Sequence, residues 1–439
     1  MHTMKSLTAI LLAAALLLSL AACGSQPSPT QAPGTASTQS TAPGPKKVQA
    51  ADLLEAFTPQ PVAEKKADEA FIRAGIDWAV RLFKETYAQE KDNKTLLVSP
   101  LSVMTALSMT ANGAKNNTLA EMEKALGGEI KLEDLNAYLH TYLNTLPSSE
   151  KAKFSFANGI WFKDQADFVV KDAFLQKNVD YFKAAIRKAP FDDSTLQEIN
   201  QWVDQHTDHM IPKLLNQLKK EDRMLLVNAL VFDAKWADPF KEAYCWEAVF
   251  TNLNGQENLA TYMSGEVYSY LEDEEAVGFV KDYEGGAYRF AALLPKDEKG
   301  FESYISALTG EKISNLLKNE TAVKVHISLP KFSYDYDISL NDTLMALGIK
   351  EAFNAEKADL SGICADTPLF ISNVIHKTHI DLDSEGTRAA AVTAVMVAEA
   401  TAMIEEWKEV YLDRPFVYMI VDSATNLPIF MGTVTDFGR

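Results

Sequence analysis

Apolar residues recur along the chain with two different periods, and each period predicts a different kind of element. Phe71, Trp78, Leu82 and Tyr87 fall on one face of a helix. Further along, short runs rich in β-branched and aromatic residues have the character of strands. These runs are 224–232, 288–295, 323–334, 369–382, 414–422 and 428–434. The first third is therefore predicted to be mainly helical and the rest mainly strand, which favours one large α+β domain.

Residues suited to helix starts and to turns indicate further elements. Ser99 occupies a cap position before Pro100, and Gly113 is suited to ending the helix that they begin. Thr118, followed three residues later by Glu121, forms a capping box and predicts a helix that begins at Thr118. The turn-rich string DSATNL separates the last two strand-like runs, so we expect these runs to form a hairpin.

The N-terminal segment has a different composition. A basic start, an apolar run from Leu7 to Leu20 and the ending LAAC indicate a secretory signal over residues 1–22 rather than a membrane-spanning helix. The ending resembles the lipobox of bacterial lipoproteins, which implies a lipid on Cys23 and a place on the outer side of a bacterial cell membrane. An ordinary signal with a chance cysteine, and hence a secreted protein, is the alternative. Pro, Ser, Thr and Gln then dominate, and we predict a disordered tether over residues 23–66 before a domain over 67–439.

Charge and cysteine content exclude several classes of function. The 439 residues carry 42 basic and 60 acidic side chains, a net charge of −18, which argues against nucleic acid as a partner. Besides Cys23, only Cys245 and Cys364 are present, and their spacing matches neither a zinc site nor a disulfide framework. We therefore expect isolated buried thiols and no metal or cofactor.

Motifs for catalysis are missing from the sequence, which contains no GxSxG, HExxH, Walker or GxGxxG string. His206 and His209 could share a helical face, but no third ligand is implied. His376 and His379 lie three apart in a strand pattern, which places them on opposite faces. A Ser–His–Asp triad assembled in space stays open, although nothing activates a particular serine.

One stretch, DSEGTRAAAVTAVMVAEATAM over residues 383–403, fits neither a helix nor a strand well. Its alanines favour a helix, whereas its glycine and its many threonines and valines do not. Small side chains that tolerate both states suggest a segment that changes its conformation.

Six strings, which follow one another in the order found in the serpins, show that the chain resembles that family. They are VSPLSVMTALSMTANGAKNNTLAEM, FANGIWF, INQWVDQHT, LLVNALVFDAKW, SNVIHKTHIDLDSEGTRAAAVTAV and DRPFVYMIVDSATNLPIFMG. The resemblance implies an α+β fold of three β-sheets and eight or nine helices. It also implies an exposed reactive loop, from about Glu385 to Arg414, after a strand of the main sheet at Leu369–Leu382.

By the same resemblance, the loop is bait for a serine protease. The protease forms an acyl-enzyme with the loop, and the cut end then inserts into the main sheet as a new strand and traps the protease. The implied hinge comprises Glu385, Gly386, Thr387, Arg388, Ala389, Ala390, Ala391, Val392 and Thr393. If Thr387 faces inward, so do Ala389, Ala391, Thr393 and Val395, all small or β-branched, while Arg388 faces the other way.

Further roles carry over by motif. Ser99, Ser102, Asn228 and His376 match a polar cluster beneath the main sheet, called the shutter, and Trp236 matches the aromatic residue at the top of the sheet, called the breach. The hinge departs from the family at Ser384 and Arg388, where acidic residues are usual.

By the same resemblance, the customary hinge length counted from Gly386 implies cleavage at Ala400–Thr401, with Glu399–Ala400 and Met403–Ile404 as alternatives. Ala400 would suit elastase-like or subtilisin-like proteases, and Met403 would suit chymotrypsin-like ones. No basic residue lies between Arg388 and Lys408, so trypsin-like enzymes should be poorly inhibited. The expected protein is a monomer that binds a protease covalently and a membrane through Cys23. A non-inhibitory surface-tethered binding lipoprotein is the alternative.

Overall fold

Nine α-helices and three β-sheets make up the residues that the computed structural model describes, which are 50–91, 94–148, 151–166, 168–298, 300–365, 367–387 and 407–437. This architecture has the three sheets and the eight or nine helices that the resemblance implies, in an α+β arrangement. The helices are α1 (Glu69–Gln89), α2 (Pro100–Ala111), α3 (Asn116–Gly127), α4 (Leu132–Thr145), α5 (Asp172–Tyr181), α6 (Asp193–His206), α7 (Phe301–Ala307), α8 (Gly310–Lys318) and α9 (Asn341–Ala346). None of the helices in these ranges has the length and apolar character needed to cross a membrane.

The strands fall into three sheets. In chain order they are β1 (Ala51–Asp52), β2 (Leu96–Val98), β3 (Ala152–Lys163), β4 (Ala185–Ala189), β5 (Met224–Lys235), β6 (Cys245–Thr251), β7 (Glu257–Val267), β8 (Tyr270–Glu272), β9 (Ala276–Asp282), β10 (Tyr288–Pro295), β11 (Lys324–Pro330), β12 (Phe332–Ser339), β13 (Asn373–Leu382), β14 (Gly386–Thr387), β15 (Trp407–Tyr411), β16 (Phe416–Asp422) and β17 (Pro428–Val434). The main sheet has the order β1-β4-β3-β5-β14-β13-β12, the six-stranded sheet β2-β17-β16-β10-β9-β8, and the four-stranded sheet β15-β11-β7-β6.

Helix α2 lies beneath the main sheet and is buried on every side. The Ser99 hydroxyl accepts a hydrogen bond from the Ser102 N–H (3.4 Å), and Pro100 occupies the first helical position, as the sequence predicts. Its side chains are apolar or small and hydroxylated, so burying the whole helix leaves no charge without water.

The helix predicted to begin at Thr118 begins two residues earlier, at Asn116, so the capping-box prediction was wrong. The Thr118 hydroxyl accepts the Asp359 N–H (3.0 Å) and donates to the Glu351 carboxylate (3.3 Å) instead of capping its own helix. The Thr118 side chain, which the local pattern assigned to a helix cap, therefore makes tertiary hydrogen bonds.

The strand-like run 323–334 is two strands rather than one. β11 ends at Pro330 in the four-stranded sheet, and β12 begins at Phe332 in the main sheet. Because both halves are rich in strand-forming residues, the hydrophobic pattern does not reveal that the chain changes sheets at Lys331. The last two strands, β16 and β17, pair antiparallel as the predicted hairpin.

The folded part begins well before residue 67, which corrects the predicted end of the tether at residue 66. β1 pairs with the edge strand β4, and the Leu53 N–H donates to the Ile186 carbonyl (2.8 Å). Leu54 and Phe57 pack against the core.

Candidate functional site

The strands β5 and β13 are neighbours in the main sheet, but their pairing does not extend over their full length. They pair in parallel from Leu225 to Leu230 of β5. Above this region, the two-residue strand β14 lies between them and pairs antiparallel with each: Thr387 opposes Leu382 of β13 and Ala234 of β5. The start of the expected loop is therefore already part of the sheet.

Both residues of β14 are fitted to this position. A Cβ on Gly386 would lie 2.2 Å from the Ala234 carbonyl oxygen, so only glycine allows the two backbones to approach this closely. Thr387 is 1% exposed, and its hydroxyl lies 2.6 Å from the Tyr283 hydroxyl oxygen.

A tight turn over residues 383–386 joins β13 to β14. The Asp383 N–H donates to the Gly386 carbonyl (2.9 Å), and the Asp383 carboxylate accepts the N–H groups of Glu385 (2.8 Å) and Gly386 (3.1 Å). The turn thereby satisfies its own backbone donors.

The connection that follows β5 wraps around this turn. Trp236 donates its backbone N–H to the Glu385 carbonyl (2.9 Å) and its indole N–H to the Asp383 carbonyl (3.0 Å). The Phe240 N–H donates to the Ser384 carbonyl (2.9 Å). Trp236 also stacks on Tyr283, with ring centroids 4.5 Å apart. Trp236 therefore contacts both the turn and the ring that holds Thr387.

A carboxylate reaches the turn from outside the hinge. The Ser384 hydroxyl donates to the Glu242 carboxylate, which also accepts a hydrogen bond from the Lys331 ammonium (3.0 Å). The hydroxyl, and to a lesser degree the ammonium, lower the pKa of Glu242. The acidic residue missing at position 384 is thus replaced locally by Glu242, from a different part of the chain.

Lys281 is buried behind the breach with only 5% of its surface exposed. Its ammonium donates to the Asp238 carbonyl (2.7 Å) and lies 4.5 Å from the ring centroid of Phe240 and 5.5 Å from that of Trp236. Burial lowers the pKa of Lys281 to about 8, although the carboxylates of Asp238 and Asp282 oppose the shift.

The predicted shutter residues meet lower in the main sheet, where β5 and β13 are still paired. His376 of β13 opposes Asn228 of β5, which opposes Asn158 of β3. The Asn228 amide donates to the Ser102 hydroxyl (2.6 Å) and to Asn158 Oδ1 (2.5 Å). One hydrogen-bonded cluster therefore joins three strands to helix α2.

The hydrogen bonds of His376 define its neutral form. Nε2 accepts the Ser99 backbone N–H (3.0 Å), so the ring proton is on Nδ1, which donates to Asn228 Oδ1. His376 is 0% exposed, and burial lowers its pKa to about 3. A second proton on Nε2 would face the Ser99 N–H, because that nitrogen is already an acceptor.

Several residues singled out by the sequence lie outside the described ranges. They are Cys23 at the N-terminus, the hinge residues Arg388, Ala389, Ala390, Ala391, Val392 and Thr393, and the candidate cleavage residues Glu399, Ala400, Thr401, Met403 and Ile404. The expected loop boundaries need correction at both ends, because Gly386–Thr387 are already in the main sheet and Trp407–Tyr411 form β15. Both segments have partner strands available, which shortens the connection between them.

Sequence reasoning missed three residues of the site. Asn158 lies in the string FANGIWF, which was used for recognition but not assigned a role. Tyr283 and Glu242 had no local signal, since each reaches the hinge only through the tertiary fold.

Cys364 is buried as expected, but Cys245 is partly exposed and both are free thiols.

The arrangement is suited to accepting a strand between β5 and β13. No group of three or more His, Cys, Asp or Glu side chains in the described ranges is placed to hold a metal ion. His206 Nδ1 lies 2.7 Å from the Trp202 carbonyl oxygen, and His209 Nδ1 lies 2.8 Å from an Asp204 carboxylate oxygen, so neighbouring groups engage both rings.

Residues 73–437 match the family model described as Serpin (serine protease inhibitor). Human alpha-1-antichymotrypsin is 31% identical over 378 residues, which cover 84% of this chain and 88% of that protein. The crystal structure of a thermophilic serpin, tengpin, in its native state is similar with a TM-score of 0.85 and 46% identity, over 89% of this chain and all of that one. Tengpin in its latent state gives a TM-score of 0.74 at 45% identity, over 85% of this chain and all of that one.

Proposed function

This chain belongs to the serpin family, and we propose that it is a suicide-type inhibitor of serine proteases. The protease serine hydroxyl attacks the carbonyl carbon of the cleaved bond, and the amine of the next residue leaves with a proton. An ester then joins the two proteins. Inserting the freed loop end between β5 and β13 would distort the protease before water hydrolyses that ester.

The observation that carries this proposal is the position of β14 between β5 and β13. Its register can be continued along both strands: Arg388 would oppose Asp233 and Asp381, and Thr393 would oppose Asn228 and His376. The inserted strand would reach the beginning of β5 at Val397, which lies eleven residues beyond Gly386, a span of about 36 Å in a strand.

The burial of the partner positions supports this register. The residues that would oppose Thr387, Ala389, Ala391, Thr393 and Val395 are all at most 2% exposed. In β5 they are Ala234, Phe232, Leu230, Asn228 and Leu226, and in β13 they are Leu382, Ile380, Thr378, His376 and Val374. Small inward side chains suit such positions, because overpacking a filled core costs about 1–3 kcal/mol per misfit.

Arg388 would enter on the opposite face. Asp233 and Asp381 would then flank its guanidinium, one from each neighbouring strand. Opposite charges at directly opposed positions stabilise a sheet by roughly 0.2–1 kcal/mol per pair. The departure from the usual acidic residue at position 388 is therefore matched by the charges of the receiving strands.

We infer that elastase-like or subtilisin-like proteases are the targets, with cleavage at Ala400–Thr401. Ala400 lies thirteen residues beyond Thr387, so three residues beyond Val397 would connect the inserted strand to the acylated carbonyl. We also propose that Cys23 carries a lipid and anchors a monomeric inhibitor outside a bacterial cell membrane. Replacing Cys23 by Ser should release the protein from the membrane fraction.

The test is to mix the full chain, purified in mild detergent, with elastase, subtilisin, chymotrypsin and trypsin separately. We expect a complex of the summed mass that survives boiling in detergent with one of the first two, and little with trypsin. Mass spectrometry of the released C-terminal peptide identifies the cleaved bond. Cleavage by all four proteases without any such complex would refute inhibition and favour the binding-lipoprotein alternative.

A further inference from the structure

Exposed hydrophobic side chains are concentrated on one sheet. Of the nine large hydrophobic residues exposed in the described ranges, eight lie in the four-stranded sheet or in the turns directly attached to it. They are Tyr244, Trp246, Val249, Leu253, Leu259, Tyr268, Trp407 and Tyr411. Concentrated exposure of this kind marks an interaction surface, whereas single exposed hydrophobic residues are ordinary.

The end of this sheet nearest the loop is aromatic. Trp407 and Tyr411 of β15 are 54% and 44% exposed, while Val410 between them is buried. His326 of the adjacent β11 lies edge-on to Trp407, with ring centroids 4.9 Å apart. Tyr268, which follows β7 directly, is 65% exposed. We call Tyr268, Trp407 and Tyr411 the aromatic face.

Charges on this face are few and of both signs. The Lys324 ammonium of β11 lies 3.0 Å from the Glu266 carboxylate of β7, and the exposed Glu409 adds a carboxylate between Trp407 and Tyr411 of β15. Contact through this surface would therefore rely on aromatic area rather than on net charge, and aromatic residues are enriched in the centres of protein interfaces.

Chain length identifies the occupant of the aromatic face. Trp407 is seven residues beyond Ala400, so the cleaved bond lies within about 25 Å of it even if the connection is fully extended. A protease domain of about 250 residues has a radius of gyration of roughly 18 Å. A protease bound at Ala400–Thr401 is therefore large enough to reach the sheet that holds the end of the loop.

We propose that the aromatic face docks the attacking protease before acylation. This inference rests on the proposed inhibitory function, which it extends by adding a binding surface outside the loop. The face accelerates encounter, and it is uncovered again once the loop end has inserted and moved the protease away.

The direct test is hydroxyl-radical footprinting with catalytically inactive subtilisin and elastase, in which the active-site serine is replaced by Ala. These proteases bind reversibly and cannot acylate. We expect oxidation of Trp407 and Tyr411 to fall several-fold in the complex, with no change at the partly exposed Tyr181 of α5. Unchanged oxidation of the aromatic face in a saturated complex would overturn the inference.

Variants give a second test with active protease. Trp407→Ala and Tyr411→Ala should slow formation of the covalent complex by about tenfold, the range of an interface anchor, without changing the number of inhibitor molecules used per protease. Val169→Ala is the matched control, because Val169 is 68% exposed and lies between β3 and α5, outside the four-stranded sheet. If Trp407→Ala lowers the unfolding temperature, Tyr268→Ala replaces it, because Tyr268 lies outside any strand.

The outcomes separate the two proposals. A covalent complex that forms at the wild-type rate in all three aromatic variants would leave inhibition intact and overturn docking. Footprint protection without any covalent complex from active protease would support docking and refute inhibition. Sedimentation that shows a self-associated protein, dispersed by Trp407→Ala, would assign the face to a second copy and also overturn docking of a protease.

Discussion

Replacing His376 by Gln should remove a specific sensitivity of the native state to acid. The folded protein holds His376 neutral with a pKa of about 3, whereas the unfolded chain binds a proton at an ordinary pKa of 6.5. Between these values the unfolded chain binds more protons, so stability falls as the pH decreases from 6.5 towards 3 and is unaffected above 6.5. Glutamine can still donate and accept hydrogen bonds but does not titrate.

The magnitude follows from the two pKa values. pH 5 lies about 1.5 units below the pKa of His376 in the unfolded chain. Protonation at this pH therefore stabilises the unfolded state relative to the folded state by about 2 kcal/mol. If His376 is already released in the transition state for unfolding, the unfolding rate should increase by up to about 30-fold between pH 7.5 and pH 5. The unfolding rate is the quantity to measure, because unlike an equilibrium free energy it does not require reversible refolding.

The assay is tryptophan fluorescence after stopped-flow mixing into guanidinium chloride at pH 7.5 and pH 5. The wild type should show a larger acid-dependent acceleration than His376→Gln, even if the variant unfolds faster at both pH values. His379→Gln is the matched control, because His379 lies on the same strand, bonds to Asp335 (2.7 Å) and is partly exposed. Equal pH dependence in the wild type and His376→Gln would refute the assignment of acid sensitivity to the shutter.

Three further substitutions test other parts of the site. Thr387→Arg should convert the inhibitor into a substrate, because a guanidinium would replace a 1%-exposed hydroxyl; gel analysis with the susceptible protease should show cleaved chain in place of covalent complex. Arg388→Glu should reduce the yield of covalent complex by bringing a third carboxylate between Asp233 and Asp381, with Arg388→Gln intermediate; identical yields would contradict the register. The wild type should gain about 2 kcal/mol of stability from pH 7.5 to 9.5, because the pKa of Lys281 is 10.5 in the unfolded chain and about 8 in the folded protein. Lys281→Met should abolish this gain. Unfolding rates at both pH values measure it.

The sequence predicted the elements that depend on local pattern. The helix start at Ser99 and the strands over 224–232, 288–295 and 428–434 needed only neighbouring residues. The run 323–334 was misjudged because the chain changes sheets at Lys331 without a change in hydrophobic period. The segment 50–66 was misjudged because its few apolar residues gain their burial from strand β4 and the core, which a local pattern does not report.

The site residues that belong to a sequence motif could be predicted, whereas those that only the tertiary fold brings to the site could not. Asn228 and His376 lie 148 positions apart in sequence, and the structure opposes them in neighbouring strands. Glu242 could not have been foreseen, since its approach to Ser384 depends on how the chain leaves β5. The two hinge residues in the main sheet were expected in an exposed loop, because composition is equally compatible with both states.

In the proposed mechanism, the closed turn over residues 383–386 would change which step limits the speed of loop insertion. A strand that joins a sheet must ordinarily first close a loop, and that closure is its nucleation step. Here the loop is closed and Thr387 is seated, so each following residue only propagates a ladder whose register is already determined. The contest between insertion and hydrolysis of the ester would then be decided lower in the sheet, where the bond between His376 and Asn228 holds β5 and β13 together. Variants that weaken this hydrogen bond should trap the protease faster, and the lifetime of their native state should shorten correspondingly.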